Sequence, residues 1–357
     1  MSISKTIKVL VVDDSAVIRQ VLSELIGRQP DMEVVGTASD PYIAREKIKK
    51  LAPDVLTLDI EMPRMDGITF LKNLMRLRPM AVIMISTLTE AGADITLEAL
   101  HIGAFDFLPK PKENVVSGLE EYEQEIAQKI RAAASANLRQ LESTSERARV
   151  EPVHRSVKNQ SYSPKPGQLI AIGASTGGTE AIKEVLIDLP ANFPPVVITQ
   201  HIPPQFSTSY AMRMDNCCAM NVHEAQDKQK ILPGNVYIAP GDFHMRVRKS
   251  SHGLQIMLSQ EDRVNRHRPS VEVMFDSITE LGLKNTIGVL LTGMGADGAL
   301  ALQRMQSIGC YTLIQDEATS VVWGMPGAAF QLNAYNEIKP LGAIAERLKA
   351  LTSLNKK

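Results

Sequence analysis

Residues 168–178 read QLIAIGASTGG, an unbroken apolar run delivered into a serine with glycines on either side. A short run without polar alternation suits a strand buried on both faces, and the glycines beyond it suit a tight turn into a helix. Similar runs recur downstream in PPVVITQH (194–201), GNVYIAPGD (234–242), TIGVLLTG (286–293) and GCYTLIQDE (309–317), separated by stretches compatible with helices. This alternation predicts a doubly wound, mainly parallel α/β domain over residues 167–357. One segment breaks the pattern: RVRKSSHGLQIMLSQ (246–260) pairs two β-like runs around His252-Gly253 and predicts an inserted β-hairpin.

Upstream the same alternation appears again, with runs at Lys8–Val12, Glu33–Thr37, Val55–Leu58, Ala81–Ile85 and Phe105–Leu108. Five such strands predict a flavodoxin-like (βα)5 domain over residues 1–126. Residues 127–166 then form a helical extension and linker. Helical spacing runs from Leu119 to Leu141 and gives way to the polar text STSERARVEPVHRSVKNQSYSPKPG (143–167). A chain of 357 residues accommodates two cores of ordinary size.

Composition narrows the function classes. With 44% apolar residues, 22% charged residues and a formal net charge of -1, the chain is neither disordered nor a nucleic-acid coat. Its start, MSISKTIKVLVVDD, lacks the pattern of a signal peptide, and no apolar run approaches the roughly 20 residues that span a bilayer. A cytoplasmic protein without membrane insertion is expected. Cys217, Cys218 and Cys310 show no C-x-x-C spacing and read as reduced thiols.

In an open parallel sheet, functional residues collect at the carboxyl ends of strands. In the first domain those ends carry Asp13 and Asp14, Asp59, Ser86 with Thr87 beside it, and Lys110. Three clustered carboxylates repel one another unless a hard cation such as Mg²⁺ binds them. Asp59 is then placed to attack a phosphoryl donor, with Lys110 and a hydroxyl contacting the transferred group; Ser86 is favoured over Thr87 by its place at the strand end. Singly, each residue has a structural reading, Asp13 or Asp14 as a helix cap and Lys110 as a solvated charge. Together with DIEMPRMDG after the acceptor, in which Met62-Pro63 and Gly67 fit the following loop, they resemble the receiver domain of two-component response regulators. That resemblance, over about Thr6 to Ile126, implies phosphorylation by a partner histidine kinase.

In the second domain, Ser175 lies between strand and helix in a G-x-S-x-G setting. The loop alone admits a nucleophile or a phosphate-binding turn. His201 closes another strand, and Asp297 follows a third, so a base and an orienting acid are available to Ser175. Asp242 in IAPGD is the rival acid, and the remaining histidines fall outside comparable strand ends. The order Ser, His, Asp departs from the Ser, Asp, His order of α/β hydrolases. A nonenzymatic phospho-switch and a nucleotide-binding regulator are the other classes; neither predicts the three residues. Phe206, Tyr210, Met212 and Met214 could form part of a docking surface or a helix-packing face.

GASTGG, QHIP and LTGMGADG occur in that order, and the chain resembles the CheB family of chemotaxis-receptor protein-glutamate methylesterases over nearly its whole length. The resemblance implies Ser175 as nucleophile, His201 as general base, Asp297 as its orienter and Met294 as a backbone oxyanion donor. It also implies Mg²⁺ for receiver phosphorylation and none for ester hydrolysis. Methyl-accepting chemotaxis receptors are implied as substrate, with glutamine deamidation as a companion reaction. The fused receiver implies control of the hydrolase by phosphorylation, and the substrate implies recruitment from the cytoplasm to membrane receptors.

Overall fold

In the computed structural model, residues 6–87, 89–111, 119–136 and 162–354 are described. Most of the expected linker, residues 137–161, lies outside them, as does His154. The chain divides into two compact units, 1–150 and 151–357.

The first unit runs β1 (Ile7–Val12), α1 (Ala16–Gly27), β2 (Met32–Ala38), α2 (Pro41–Leu51), β3 (Val55–Asp59), α3 (Gly67–Leu77), β4 (Ala81–Ser86), α4 (Glu90–Ile102), β5 (Asp106–Pro109) and α5 (Leu119–Ser135). Its strands pair in parallel in the order β2-β1-β3-β4-β5, the flavodoxin-like arrangement expected from the sequence. Val9 to Leu10, Leu56, Val82 and Ile83 have no exposed surface, which is why these strands read as continuous apolar runs. Side-chain oxygens start the helices: Ser15 accepts from Ile18 N, Asp40 from Tyr42 and Ile43 N, and Asp66 from Thr69 N. Buried Ile126, Ala127, Ile130 and Ala133 mark one face of α5, so packing continues past residue 126.

The second unit runs β6 (Leu169–Ala174), α6 (Gly178–Ile187), β7 (Val196–Gln200), α7 (Pro204–Asp215), β8 (Asn221–Glu224), β9 (Asn235–Ile238), β10 (His244–Ser250), β11 (Gly253–Ser259), α8 (Val271–Glu280), β12 (Thr286–Leu290), α9 (Ala299–Ser307), β13 (Tyr311–Gln315), α10 (Met325–Gln331), β14 (Glu337–Lys339) and α11 (Leu341–Thr352). A seven-stranded parallel sheet forms in the order β14-β13-β12-β6-β7-β9-β8. The inserted hairpin is present as β10–β11, paired from His244↔Ser259 to Ser250↔Gly253. It is tied to α8 by Val247 N–H donating to Ser277 Oγ at 2.9 Å. The chain joins this unit before residue 167: Tyr162 stacks on Phe193, and Lys165 N–H donates to the Thr352 carbonyl at 2.7 Å.

Phe206, Tyr210 and Met214 are buried on the inner face of α7, while Met212 is 64% exposed. The first three therefore belong to helix packing. No helix among the described residues is long and apolar enough to cross a membrane.

Candidate active site

Sheet register brings Ser175 and His201 together. β6 and β7 pair through Ala174↔Gln200, and the ladder carries on with His201 N–H donating to the Ala174 carbonyl at 3.2 Å. On the other side of β6, Ser175 N–H donates to the Thr292 carbonyl at 3.0 Å, past the end of β12. Three adjacent strands thus deliver the serine, the histidine and the loop that carries Asp297. Gln200 fastens the first two, its Nε2 donating to the carbonyls of Ser175 at 2.9 Å and His201 at 3.1 Å.

The side chains form a continuous relay. His201 Nδ1 lies 3.0 Å from Ser175 Oγ, and His201 Nε2 lies 2.8 Å from Asp297 Oδ2. With an acceptor at Nε2, the ring holds its proton there and offers the Nδ1 lone pair to the serine hydroxyl. The sequence does not say which nitrogen faces which partner; the ring's orientation between Ser175 and Asp297 decides it.

Asp297 is buried and receives five hydrogen bonds. Oδ2 accepts from His201 Nε2 and from Val271 N–H at 2.7 Å. Oδ1 accepts from Asn265 Nδ2 at 2.7 Å, Ser270 Oγ at 2.8 Å and Glu272 N–H at 3.3 Å. The carboxylate therefore sits on the first N–H groups of α8, where the helix end favours negative charge. Burial alone would raise its pKa, but the hydrogen bonds from His201, Asn265 and Ser270 outweigh burial and hold it well below the usual carboxylate range.

The rival acid is occupied elsewhere. Asp242 Oδ1 accepts from Arg268 Nε at 3.0 Å and Nη2 at 2.6 Å. His223 pairs with Asn235, and buried His244 faces the Asp262 carbonyl and Ser270 N–H. His267 is different: its ring stacks on His201, centroids 3.6 Å apart and planes 13° from parallel. Neither it nor Asn265 stood out in the sequence, because both lie in a polar loop rather than at a strand end.

Met294 follows Gly293, which is pressed against the serine. A Cβ on Gly293 would lie 2.8 Å from Ser175 Cβ and 2.4 Å from Met325 Sδ. Only glycine lets this strand-end loop approach so closely.

In the first unit, Asp13 and Asp59 are buried, and Lys110 Nζ stands 2.9 Å from Asp59 Oδ2 and 3.4 Å from Asp13 Oδ2. Burial pushes the Asp59 pKa up to about 6, with Asp13 adding to it and Lys110 opposing it. Burial likewise raises Asp13. Burial works against the charge on Lys110, yet Asp59 and Asp13 outweigh it and raise its pKa. Carboxylate oxygens of Asp13, Asp14 and Asp59 lie within 4.8 Å of one another. Buried Asp13 Oδ2 and Asp59 Oδ2 face the Lys110 ammonium and no other donor among the described residues. Hard oxygen donors with uncommitted lone pairs fit a small divalent cation such as Mg²⁺. Buried Ser86, the last residue of β4, accepts from Thr96 Oγ1 at 3.0 Å, and its carbonyl accepts from Lys110 N–H at 2.8 Å. Thr87 lies one residue beyond the strand.

Residues 170–348 match the family described as CheB methylesterase, and residues 9–117 match the response regulator receiver domain. The protein-glutamate methylesterase/protein-glutamine glutaminase 2 of Saccharophagus degradans is 56% identical over 344 residues, covering 96% of this chain and 98% of that protein. The protein-glutamate methylesterase/protein-glutamine glutaminase of Hydrogenovibrio crunogenus is 52% identical over 378 residues, 97% of this chain and 98% of that one. Among solved structures, the catalytic domain of Thermotoga maritima CheB methylesterase is 37% identical with a TM-score of 0.51, covering 53% of this chain and 100% of that one.

Proposed function

The chain belongs to the CheB methylesterase family, and from that premise we propose how its own residues carry out hydrolysis and its control. It is a response-regulator hydrolase that cleaves glutamate methyl esters on chemotaxis receptors, releasing methanol, and converts specific receptor glutamines to glutamate. Ser175 Oγ attacks the side-chain carbonyl carbon while His201 Nδ1 takes its proton. Asp297 Oδ2 stabilises the resulting imidazolium through Nε2–H. The backbone N–H of Met294 faces the developing oxyanion. The carbon–oxygen bond to methoxide then breaks as the Nδ1 proton passes to it. Water attacks the acyl-enzyme, yields its proton to Nδ1, and Ser175 Oγ is regenerated with glutamate as product. For an amide substrate the leaving group is ammonia.

The observation that carries this reading is the unbroken relay of 3.0 Å and 2.8 Å from Ser175 Oγ through His201 to Asp297. The hydrolytic steps use no metal. In the receiver, Asp59 is the phosphoacceptor, and Lys110 and Ser86 contact the phosphoryl group. Asp13, Asp14 and Asp59 would hold Mg²⁺, which supplies charge neutralisation for phosphoryl transfer. A histidine kinase is the phosphodonor, and the protein works in the cytoplasm, recruited to membrane receptors. As working boundaries, the receiver of 1–126 extends through its last helix to Ser135, the linker lies within 127–166, and the hydrolase of 167–357 gains Tyr162 and Lys165 at its start.

Methanol release from methylated receptor membranes tests both halves, measured with and without Mg²⁺ and a small acyl-phosphate donor. Ser175→Ala is expected to abolish release, and Asp59→Asn to retain basal release without stimulation. Release that survives Ser175→Ala removes the nucleophile from the scheme, and stimulation that survives Asp59→Asn removes the acceptor.

A further inference from the structure

Between β11 and α8 the chain closes one tight hairpin. Val264 N–H donates to the His267 carbonyl at 3.1 Å, and His267 N–H donates to the Val264 carbonyl at 2.9 Å. The two central residues, Asn265 and Arg266, have φ of 53° and 71°. Two consecutive left-handed residues are the mark of a type I′ turn, and asparagine is among the few side chains at ease there. A central and a flanking residue of this turn touch the catalytic machinery. Asn265 Nδ2 donates to Asp297 Oδ1 at 2.7 Å, and the His267 ring lies flat on His201 at 3.6 Å.

We propose that Asn265 is a positioning residue for ester hydrolysis, fixing the rotation of the Asp297 carboxylate so that Oδ2 stays aligned with His201 Nε2. The inference rests on Ser175, His201 and Asp297 acting as the hydrolytic unit. Of the three groups on Oδ1, the Glu272 N–H is distant at 3.3 Å, and the Ser270 hydroxyl is a rotor that can follow a turning carboxylate. The Asn265 amide hangs from a backbone held by the paired ends of the turn, so it can turn over in place but cannot travel with the carboxylate, and together with Val271 N–H on Oδ2 it holds the carboxylate plane. It therefore resists rotation where Ser270 does not. The same N–H draws charge toward Oδ1 and so limits the pull of Oδ2 on the imidazolium proton. Ser175, Asp297 and His267 face His201 among the described residues.

Asn265→Gly in the full-length protein isolates the bond, since glycine adopts the left-handed turn and deletes only the amide. Methanol release is expected to fall about tenfold in kcat, the scale of one hydrogen bond to a charged group, with KM unchanged. The acid limb of kcat/KM is expected to move to higher pH, because His201 then faces a less compensated carboxylate. A residue serving only the loop would leave that limb in place. Asn265→Ala, which also lacks the donor but keeps a Cβ in the turn, is expected to move the limb the same way, so loosening of the loop by glycine does not decide the result. Wild-type kcat with an unmoved limb in both variants overturns the proposal. Release that survives Ser175→Ala in the same assay overturns the underlying reading instead.

Discussion

Replacing Asp297 by asparagine sets two arrangements of one amide against each other. All five partners of the carboxylate are donors, whereas an amide accepts only through its oxygen. If the oxygen takes the Oδ1 place, the NH₂ faces Val271 N–H at 2.7 Å and His201 Nε2. His201 must then carry its proton on Nδ1, toward Ser175, and the base is lost. If the oxygen takes the Oδ2 place, His201 keeps its tautomer. The NH₂ then meets Asn265, Ser270 and the 3.3 Å contact of Glu272 N–H. Asn265 can turn its amide over and Ser270 can rotate, so only the weakest bond is forfeited. The Val271 N–H belongs to the backbone and cannot reorient, which decides for the second arrangement. What the variant loses is the negative charge opposite the imidazolium, about 1.5–3 kcal/mol for a hydrogen bond to a charged group. That corresponds to about a 10- to 150-fold fall in kcat, not the roughly 10⁴-fold fall that follows when a triad histidine is left in the wrong tautomer. Initial-rate methanol release from methylated receptor membranes reads this directly, with kcat/KM followed from about pH 5 to 9. The acid limb should shift to lower pH, since the imidazolium loses its counter-charge. A loss near 10⁴-fold, or a limb that moves upward, would refute the reasoning from donors.

The acid pocket predicts a linkage between protons and metal. Asp59, raised to about 6 by burial, binds its proton more tightly folded than unfolded. In metal-free buffer, this group's contribution to stability is therefore fully present below the unfolded value near 4 and is lost as pH rises to about 6. Mg²⁺ should restore it at pH 7 and do little at pH 5; urea melts of the whole protein at both values check this, and equal gains at both would count against the pocket as the metal's site. Gly67→Ala places a Cβ 2.1 Å from the Asp59 carbonyl oxygen, so the loop after β3 must move. A loss of about 1–3 kcal/mol and weaker Mg²⁺ binding are expected from urea melts and titration calorimetry, and neither effect survives if the loop yields freely.

The chemistry was legible where it sat at strand ends. Residues such as Ile170, Val197 and Val289 are wholly buried within a parallel sheet, so their strands read as unbroken apolar text and their termini could be located to a residue or so. The edge strands were not read. β8 and β14 span only Asn221–Glu224 and Glu337–Lys339, mostly half-exposed, and carry no apolar run to announce them. The relay's members came from position along the strands, but its wiring did not. That His201 offers Nδ1 to the serine depends on how its ring is turned between Ser175 and Asp297, and that Asp297 sits on the N–H groups of α8 depends on a contact 26 residues distant in sequence. His267 and Asn265 were hidden for a different reason: a loop residue's relation to the site is set by the turn's closure, through bonds that no local pattern encodes.

The strand order β12-β6-β7 at the middle of the second sheet has an architectural corollary. Nucleophile, base and acid hang from three neighbouring rungs at the centre, while the shortest strands form the margins. A slip of one residue between β6 and β7 would turn Ser175 and His201 to opposite faces. The geometry of the reacting atoms is therefore set by the pairing of the central strands.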